Sequence, residues 1–301
     1  MERDKQRSKV SLYAAIGLLG LVAPWAFALA EPVDIQLHKK ALENGRLQMI
    51  TIRGIDAIPA EDRVPARWAV KVGDRDVPFF EVPEVGNGAI RALFAVPFGQ
   101  EPGIQKVVLS GPGQLVREIQ FEVVDGKYAS EVLKVDPKFT KLSPKVEARI
   151  KRESRLVGAI YERSEQRRYW KGPFVLPIKS RVTSQFGNKR MFNGELKSFH
   201  SGLDLQAPVA TPVRAPAAGK VVLTKALFLT GKTVILDHGY GLFTSYAHLN
   251  STRVKVGQVV AQGKILGLSG MTGRASGPHL HWGAIVHHSK INPVDLVEEL
   301  R

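Results

Sequence analysis

The stretch His279-Leu-His-Trp-Gly-Ala-Ile-Val286 decides the fold of the C-terminal part of the chain. Its length and apolar content predict a β-strand, and successive side chains of a strand point to opposite faces. His279 and His281 therefore share one face, and Leu280 and Trp282 share the other. The stretch predicts a strand with one face in the core and one face available for chemistry.

Strand-like runs continue on both sides of this stretch and are separated by glycine-containing turns, notably Asp237-His-Gly-Tyr-Gly241. They predict an antiparallel, all-β domain over residues 173–301. Seven of the eight histidines lie in this domain. We therefore look for function there. The strand-like runs cover residues 182–186, 220–223, 233–236, 242–246 and 258–260.

An N-terminal domain is predicted over residues 31–128. Short alternating or β-branched runs at residues 47–52, 68–72, 90–96 and 119–124 are separated by Gly, Pro, Asn and Asp. This pattern is typical of an antiparallel β-sandwich, which we interpret as Ig-like. Its lone histidine, His38, is interpreted as a surface residue. The chain as a whole is predicted to be mainly β.

A basic linker with a long helix is predicted over residues 129–172. Ser143 is a candidate N-cap with Pro144 at the first helical position. Apolar residues at helical spacing form one stripe that could pack between the two domains. Between residues 131 and 190 there are 16 Lys/Arg and 6 Asp/Glu, a net charge of +10. The stripe consists of Val146, Ile150, Val157, Ile160 and Tyr161.

Residues 1–30 resemble a secretory signal peptide. A polar, basic start is followed by an apolar run from Leu12 to Ala30 that ends in small residues. The alternative is an uncleaved N-terminal anchor, because the run approaches the ~20 residues that span a bilayer. Both interpretations predict that the rest of the chain is exported from the cytoplasm, with membrane contact only through this segment.

Composition narrows the possible chemistry. The chain has no cysteine, so a metal site must use histidine and carboxylate. The formal net charge of +15 favours a polyanionic partner. Export argues against nucleic acid and for cell-wall polymers or anionic membrane faces, so a basic nucleic-acid binder or nuclease is the less favoured alternative.

Candidate metal ligands occur at two places. His200-Ser-Gly-Leu-Asp204 puts an imidazole and a carboxylate four residues apart, on one face of an extended segment. The pair His279 and His281 supplies two further imidazoles. Two histidines and one carboxylate suit a catalytic Zn²⁺ that keeps one position open. The residues alone leave open which histidine of the pair is the ligand; the other would stand ready for proton transfer.

These motifs resemble the LytM/lysostaphin-type zinc endopeptidases of bacterial cell walls. The resemblance runs from about Ser184 to Pro293 and is carried by motifs in that family's order. They are Ser184-Gln-Phe-Gly187, His200-Ser-Gly-Leu-Asp204, Ala207-Pro208, Thr211-Pro-Val213, Ala218-Gly-Lys-Val221, Asp237-His-Gly239, Tyr246-Ala-His-Leu249 and Ser276-Gly-Pro-His-Leu-His281.

The resemblance implies that His200, Asp204 and His281 hold Zn²⁺. It also implies that His248 and His279 orient or deprotonate the attacking water and stabilise the oxyanion. One departure is Gly283, where many relatives carry an acidic residue. The implied activity is metal-assisted hydrolysis of peptide bonds in peptidoglycan, the anionic wall polymer, by a monomer. The resemblance also implies that the exported protein acts in the periplasm or cell envelope of a bacterium.

Two further interpretations remain open at this point. The Gly-rich segment 269–277 is either a wall of the substrate groove or an ordinary flexible loop. The domain is either an enzyme or a catalytically silent scaffold that binds another wall hydrolase. His238 and the pair His287-His288 are interpreted as structural or surface residues.

Overall fold

The computed structural model describes residues 33–132, 142–192 and 195–300. The predicted leader, residues 1–30, lies outside these ranges. Within them, none of the helices combines the length and the apolar character needed to cross a membrane. The predicted mainly β fold is confirmed.

Nine strands build the N-terminal sandwich from two sheets. One sheet has the order β1-β3-β7-β6 and the other β2-β9-β8-β4-β5, with β2 parallel to β9. This order resembles the two sheets of an immunoglobulin domain; the Ig-like relationship itself stays a prediction. The strands are β1 (Asp34–Leu37), β2 (Ala41–Glu43), β3 (Leu47–Arg53), β4 (Ala69–Val72), β5 (Arg75–Pro78), β6 (Phe80–Glu81), β7 (Ile90–Ala95), β8 (Gly103–Gly111) and β9 (Leu115–Val124).

The first sheet of the sandwich is buried on both faces. Ile50 and Ile52 of β3 pack into the sandwich core. Leu47 and Met49 occupy the alternate positions of the same strand, so they point to its other face and pack into a second core shared with the C-terminal domain. Because strand side chains alternate, one strand can serve two cores. The sheet is thus the middle layer between the second sandwich sheet and the C-terminal domain.

Fourteen strands and two α-helices follow the sandwich in the described residues. They are β10 (Ser130–Val132), α1 (Pro144–Tyr161), β11 (Val182–Ser184), β12 (Lys189–Phe192), β13 (Glu195–Phe199), β14 (Leu203–Gln206), β15 (Pro212–Arg214), β16 (Gly219–Leu227), β17 (Gly231–Gly239), β18 (Leu242–Leu249), β19 (Ser251–Thr252), β20 (Val259–Val260), β21 (Ile265–Leu268), β22 (His279–Val286), β23 (Ser289–Ile291) and α2 (Val294–Glu299). The strand predicted from the opening stretch, residues 279–286, is β22.

The principal sheet of the C-terminal domain has eight strands in the order β11-β14-β22-β18-β17-β16-β20, with β23 paired to β22. Three-stranded sheets β10-β12-β13 and β15-β21-β19 flank it. Leu280 and Trp282 of β22 are fully buried on the core face. The opposite face of β22 is left for the histidines, as the alternation predicts. The predicted domain boundaries at residues 128 and 172 stay predictions.

Helix α1 begins as predicted: the Ser143 hydroxyl caps it by accepting from the backbone N–H of Val146 at 3.4 Å. The expectation that α1 packs between the two domains is not met. Its half-buried side chains Val157, Ile160 and Tyr161 pack on a cluster of the principal sheet. That cluster contains Leu223, Leu227, Ile235, Phe243 and Ile285. The apolar stripe of α1 is therefore buried against the apolar face of the principal sheet.

Helix α2 joins the two domains through a buried carboxylate. Asp295 is 1% exposed, and its Oδ2 accepts from the backbone N–H of Leu47 at 2.7 Å. Arg46 Nε lies 2.8 Å from Oδ1 without hydrogen-bond alignment. Burial raises the pKa of Asp295 to about 6. The ion pair therefore compensates only part of the desolvation of this carboxylate.

Candidate metal centre

His200 and Asp204 meet at the centre, but not as members of one extended segment. His200 follows the end of β13, where its N–H donates to the Asn188 carbonyl at 2.8 Å. Asp204 lies on the next strand, β14, after a bend at Gly202. The expectation of a single strand over residues 200–204 is therefore wrong, and the bend between two strands brings the two side chains together.

Gly202 leaves the space that this bend needs. A Cβ at this position would lie 2.5 Å from the Trp282 carbonyl oxygen and 2.7 Å from Nε2 of His281. Real Cβ atoms do not approach other heavy atoms so closely. A glycine here lets the His200 segment lie directly on β22.

The sheet register supplies the third member. Asp204 and His281 are direct partners in the antiparallel pair β14–β22, so their side chains share a face. His281 Nδ1 lies 2.8 Å from Asp204 Oδ1. His200 Nε2 lies 3.0 Å from Asp204 Oδ1 and 3.0 Å from His281 Nδ1. The three side chains offer three ligand atoms that converge on one point.

The donor set fits a divalent cation. His200 Nδ1 lies 2.7 Å from the Gln185 carbonyl and must donate to it, which leaves the Nε2 lone pair facing the cluster. A carboxylate oxygen and His281 Nδ1 face the same point. Two imidazole nitrogens and one carboxylate oxygen form a three-ligand zinc set with an open position. The hydrogen bond on the far side of the His200 ring fixes its tautomer, as is usual for metal-ligating histidines.

Electrostatics agree with an ionised aspartate in this cluster. Burial alone would raise the pKa of Asp204, but the imidazoles of His200 and His281 beside its carboxylate outweigh it and hold the pKa well below the usual range. Burial lowers the pKa of His281. A metal requires an ionised carboxylate and a neutral imidazole, and the pKa directions of Asp204 and His281 both favour these charge states.

The two candidate catalytic histidines lie beside the cluster. His279 precedes His281 on the same face of β22, and its Nε2 is 3.7 Å from Asp204 Oδ1. The rings of His248 and His279 are 4.7 Å apart, and those of His248 and His281 are 6.1 Å apart. The structure thus brings all five predicted residues together. Their roles stay predictions.

Backbone carbonyls fix both of these imidazoles. His248 Nδ1 lies 2.7 Å from the Thr272 carbonyl, and His279 Nδ1 lies 2.8 Å from the Gly277 carbonyl. Each Nδ1 must therefore carry the proton, which leaves each Nε2 as the free nitrogen. Thr272 and Gly277 belong to the Gly-rich segment 269–277, so this segment borders the centre and holds its histidines.

The remaining predicted positions have structural surroundings. His238 is fully buried and lies 2.7 Å from the Ala218 carbonyl and 2.8 Å from the Thr244 hydroxyl. His38 lies 2.6 Å from Glu299 Oε2, remote in sequence from the cluster. Gly283 faces Ser245 across the β18–β22 pair, and a Cβ there would lie 2.6 Å from the serine Oγ. Ser245 leaves little room for a larger side chain at position 283.

Sequence reasoning missed the groups that orient the histidines. The carbonyls of Gln185, Thr272 and Gly277 carry no side-chain signal, although each lies within a motif or segment singled out above. The role of Gly202 was also missed; its place inside His200-Ser-Gly-Leu-Asp204 was the available signal.

Residues 198–293 match the family described as peptidase family M23. The peptidoglycan DD-endopeptidase ShyA of Vibrio cholerae is 38% identical over 120 residues, which cover 40% of this chain and 28% of that protein. The DD-carboxypeptidase/endopeptidase Mpg of Neisseria meningitidis is 35% identical over 119 residues, 40% of this chain and 27% of that protein. The chain thus spans less than a third of the length of these relatives.

A solved structure extends the likeness beyond the matched residues 198–293. A protein from Pseudomonas aeruginosa described as a peptidase M23 has a TM-score of 0.64 and 29% identity. The match covers 85% of this chain and 94% of that one, so it includes the sandwich. These findings confirm the predicted resemblance to zinc endopeptidases, and Zn²⁺ as the cofactor that this site would take.

Proposed function

We propose, from the match of residues 198–293 to peptidase family M23, that the protein is an exported zinc endopeptidase that hydrolyses cross-links or stem peptides of peptidoglycan. The observation that carries the proposal is the convergence of His200, Asp204 and His281 within 3.0 Å of one another, beside two further imidazoles. The names of ShyA and Mpg support peptidoglycan as the substrate class.

We assign metal binding to His200 Nε2, Asp204 Oδ1 and His281 Nδ1. Zn²⁺ held there would supply Lewis acidity toward the scissile carbonyl and a water-derived nucleophile at neutral pH. The protein supplies the orientation. Gln185 fixes the ring of His200, and the β14–β22 register fixes Asp204 against His281.

We assign proton transfer to His248 and His279. Burial lowers the pKa of His248 to about 4, so its imidazole is neutral near pH 7. Its Nδ1 proton is committed to the Thr272 carbonyl, so Nε2 can only accept a proton at first. Once protonated, Nε2 can donate to the oxyanion or to the leaving amine. His279 has the same arrangement through Gly277 and fits the same sequence of steps.

The exposed face of α1 fits an anionic wall polymer. Lys145, Lys151, Arg152 and Arg155 on α1, and Arg163 just after it, are exposed. None of these five forms an ion pair with any side chain in the described ranges. Exposed cations of this kind raise the local concentration of a polyanion through long-range attraction. We place the protein in the periplasm or cell envelope as a monomer, with residues 31–128 as the sandwich, 129–172 as the linker and 173–301 as the catalytic domain.

Three alanine variants and two measurements test the proposal. Zinc content and the release of soluble fragments from purified sacculi are measured for the unmodified protein, His281→Ala, His248→Ala and the control His38→Ala. We expect His281→Ala to lose both zinc and activity, and His248→Ala to keep zinc and lose activity. His38→Ala should keep both, because His38 contacts Glu299 and not the cluster.

The rival interpretation is a catalytically silent scaffold. Bound zinc with no fragment release from the unmodified protein, or an active His281→Ala protein, would contradict the proposed hydrolase. Mass spectrometry of the released fragments would identify the bond that is cut.

A further inference from the structure

Thr272 binds two consecutive residues at the end of β18. Its carbonyl accepts from Nδ1 of His248 at 2.7 Å. Its hydroxyl donates to the carbonyl of Leu249 at 2.7 Å. One residue of the Gly-rich segment 269–277 is therefore joined both to the ring of His248 and to the backbone that follows it.

The same hydroxyl is bound from the neighbouring strand. Its oxygen accepts from the backbone N–H of Lys232, in β17, at 2.9 Å. A hydroxyl has one proton to donate, and here that proton is committed to Leu249. Because the oxygen makes both bonds, the Thr272 side chain is fixed between β17 and β18. The register of these two strands shifts next to Lys232, so the hydroxyl binds them where their regular pairing is interrupted.

Gly231 leaves the space that Thr272 needs. A Cβ at this position would lie 2.3 Å from the Thr272 hydroxyl oxygen and 2.4 Å from its carbonyl oxygen. Gly231 is the first residue of β17 and directly precedes Lys232. The start of β17 thus lies against both polar groups with which Thr272 holds the end of β18.

The backbone of His248 adopts a conformation that needs such support. Its φ of +60° lies in the left-handed region, which residues other than glycine seldom occupy. Its backbone N–H donates to the Thr230 carbonyl at 2.8 Å. This bond holds the main chain but leaves the imidazole free to turn about its side-chain bonds. The bond to the Thr272 carbonyl restricts that rotation and keeps the proton on Nδ1.

We infer that Thr272 is a positioning residue for His248: its hydroxyl, held between β17 and β18, places the carbonyl that orients the imidazole at the centre. The inference rests on the proposed role of His248 in proton transfer. The Gln185 carbonyl and the β14–β22 register hold the proposed metal ligands, so loss of the Thr272 hydroxyl should spare zinc binding. Misplacement of a reacting group by about 1 Å can cost about 100-fold in rate.

Two substitutions at Thr272 test the role of the hydroxyl. Thr272→Val keeps the branched shape and removes the hydroxyl, whereas Thr272→Ser keeps the hydroxyl. With soluble cross-linked muropeptides prepared from sacculi, Thr272→Val should lower kcat about 10- to 100-fold and change KM by less than about twofold. Thr272→Ser should restore most of the lost kcat. Zinc content should equal that of the unmodified protein in both variants.

The tautomer of His248 gives a readout that a general loss of stability would not move. Side-chain nitrogen NMR of the zinc-loaded protein, with the signal assigned through His248→Ala, should show the proton on Nδ1 in the unmodified protein and in Thr272→Ser. Thr272→Val should show a mixture of the two tautomers. Thr272→Ala removes the same hydroxyl and repeats the comparison if valine prevents folding.

Thr211→Val is the matched control. The Thr211 hydroxyl also donates to a backbone carbonyl, that of Pro208 at 2.8 Å, so its loss should leave kcat and the His248 tautomer unchanged. An unchanged kcat or tautomer in Thr272→Val, a loss of its zinc, or a Thr272→Ser protein that is equally slow would each overturn the positioning role. If the zinc-loaded unmodified protein cuts nothing, the proposed function fails, and the tautomer still decides whether the Thr272 hydroxyl holds the ring.

Discussion

The β17–β18 hairpin leaves no room for a side chain at Gly239, and this gives a sharp stability prediction. Gly239 has φ +94°, and a Cβ there would lie 1.7 Å from the Arg167 carbonyl oxygen. The segment that carries Arg167 lies against the hairpin through two backbone hydrogen bonds. The backbone N–H of Tyr169 donates to the backbone carbonyl of His238 at 3.0 Å, and the backbone N–H of Tyr240 donates to the backbone carbonyl of Glu165 at 2.8 Å. Gly239→Ala should push this segment off the hairpin.

The expected loss of stability has two parts. An L-residue with this backbone conformation costs about 1–2 kcal/mol. Displacement of the segment also loses two hydrogen bonds, each contributing about 0.5–1.5 kcal/mol. Alanine lowers the entropy of the unfolded chain, which returns about 0.4–1 kcal/mol. We expect Gly239→Ala to lower the free energy of unfolding by about 2–4 kcal/mol.

Gly257→Ala is the matched control. Gly257 has φ +88°, nearly the same conformation, but a Cβ at this position would have no heavy atom within 4 Å. Gly257→Ala should lower the free energy of unfolding only through the unfavourable backbone conformation, by about 1 kcal/mol once the lower entropy of the unfolded chain is included. Urea unfolding followed by circular dichroism measures both variants. Equal losses in the two proteins would refute the argument that the hairpin and the segment are locked together at Gly239.

Three further predictions concern the domain contacts and the metal. Phe98 of the sandwich stacks on Phe199, next to His200, with ring centroids 4.0 Å apart. Phe98→Ala should therefore weaken zinc binding about tenfold, measured by competition with a chelator. The control Phe121→Ala, in the sandwich core, should destabilise the protein without weakening zinc binding. The pKa of Asp295 is about 6 in the folded state against an ordinary 3.8. Because the folded protein holds this proton more tightly, protonation of Asp295 stabilises the fold. This contribution is fully present below about pH 4 and is lost as the pH rises through 6. The free energy of unfolding of the unmodified protein, measured relative to that of Asp295→Asn, should fall by up to about 3 kcal/mol between pH 4 and pH 7. If the difference between the two proteins does not change with pH, Asp295 does not titrate in this way. Chelation should lower the melting temperature and added zinc should restore it, because a ligand that binds only the folded state stabilises it; an unchanged melting temperature would argue against a metal at this site.

The strands could be predicted because burial imposes a period of two on their side chains. β22 was predicted residue for residue, since its core face and its polar face alternate without interruption. The N-cap of α1 was found for a similar local reason: Ser143 followed by Pro144 is a sequence signal that needs no tertiary partner. Local chemistry was sufficient for both features.

The partners of these elements could not be predicted in the same way. The pattern of α1 indicated an apolar stripe, but not that the stripe would cover the principal sheet rather than an interface between domains. β3 indicated a buried strand, but not that Leu47 and Met49 would face the C-terminal domain while Ile50 faces the sandwich core. Hydrophobic periodicity identifies a buried face and is silent about what buries it.

His248 shows most clearly where sequence reasoning stops. Ala247 is the direct partner of His281 across the β18–β22 pair, so simple alternation would send His248 to the opposite face, away from the metal ligands. The pairing of β17 with β18 shifts its register between Val234 and Lys232, and His248 itself has φ +60°. Such an irregularity turns a side chain back toward the face it would otherwise leave, and irregularities of this kind occur next to active sites. The resemblance to known peptidases named His248 correctly as a neighbour of the centre, whereas a regular strand would have excluded it. Restoring a regular strand here would therefore remove the imidazole from the centre while leaving all three proposed metal ligands in place.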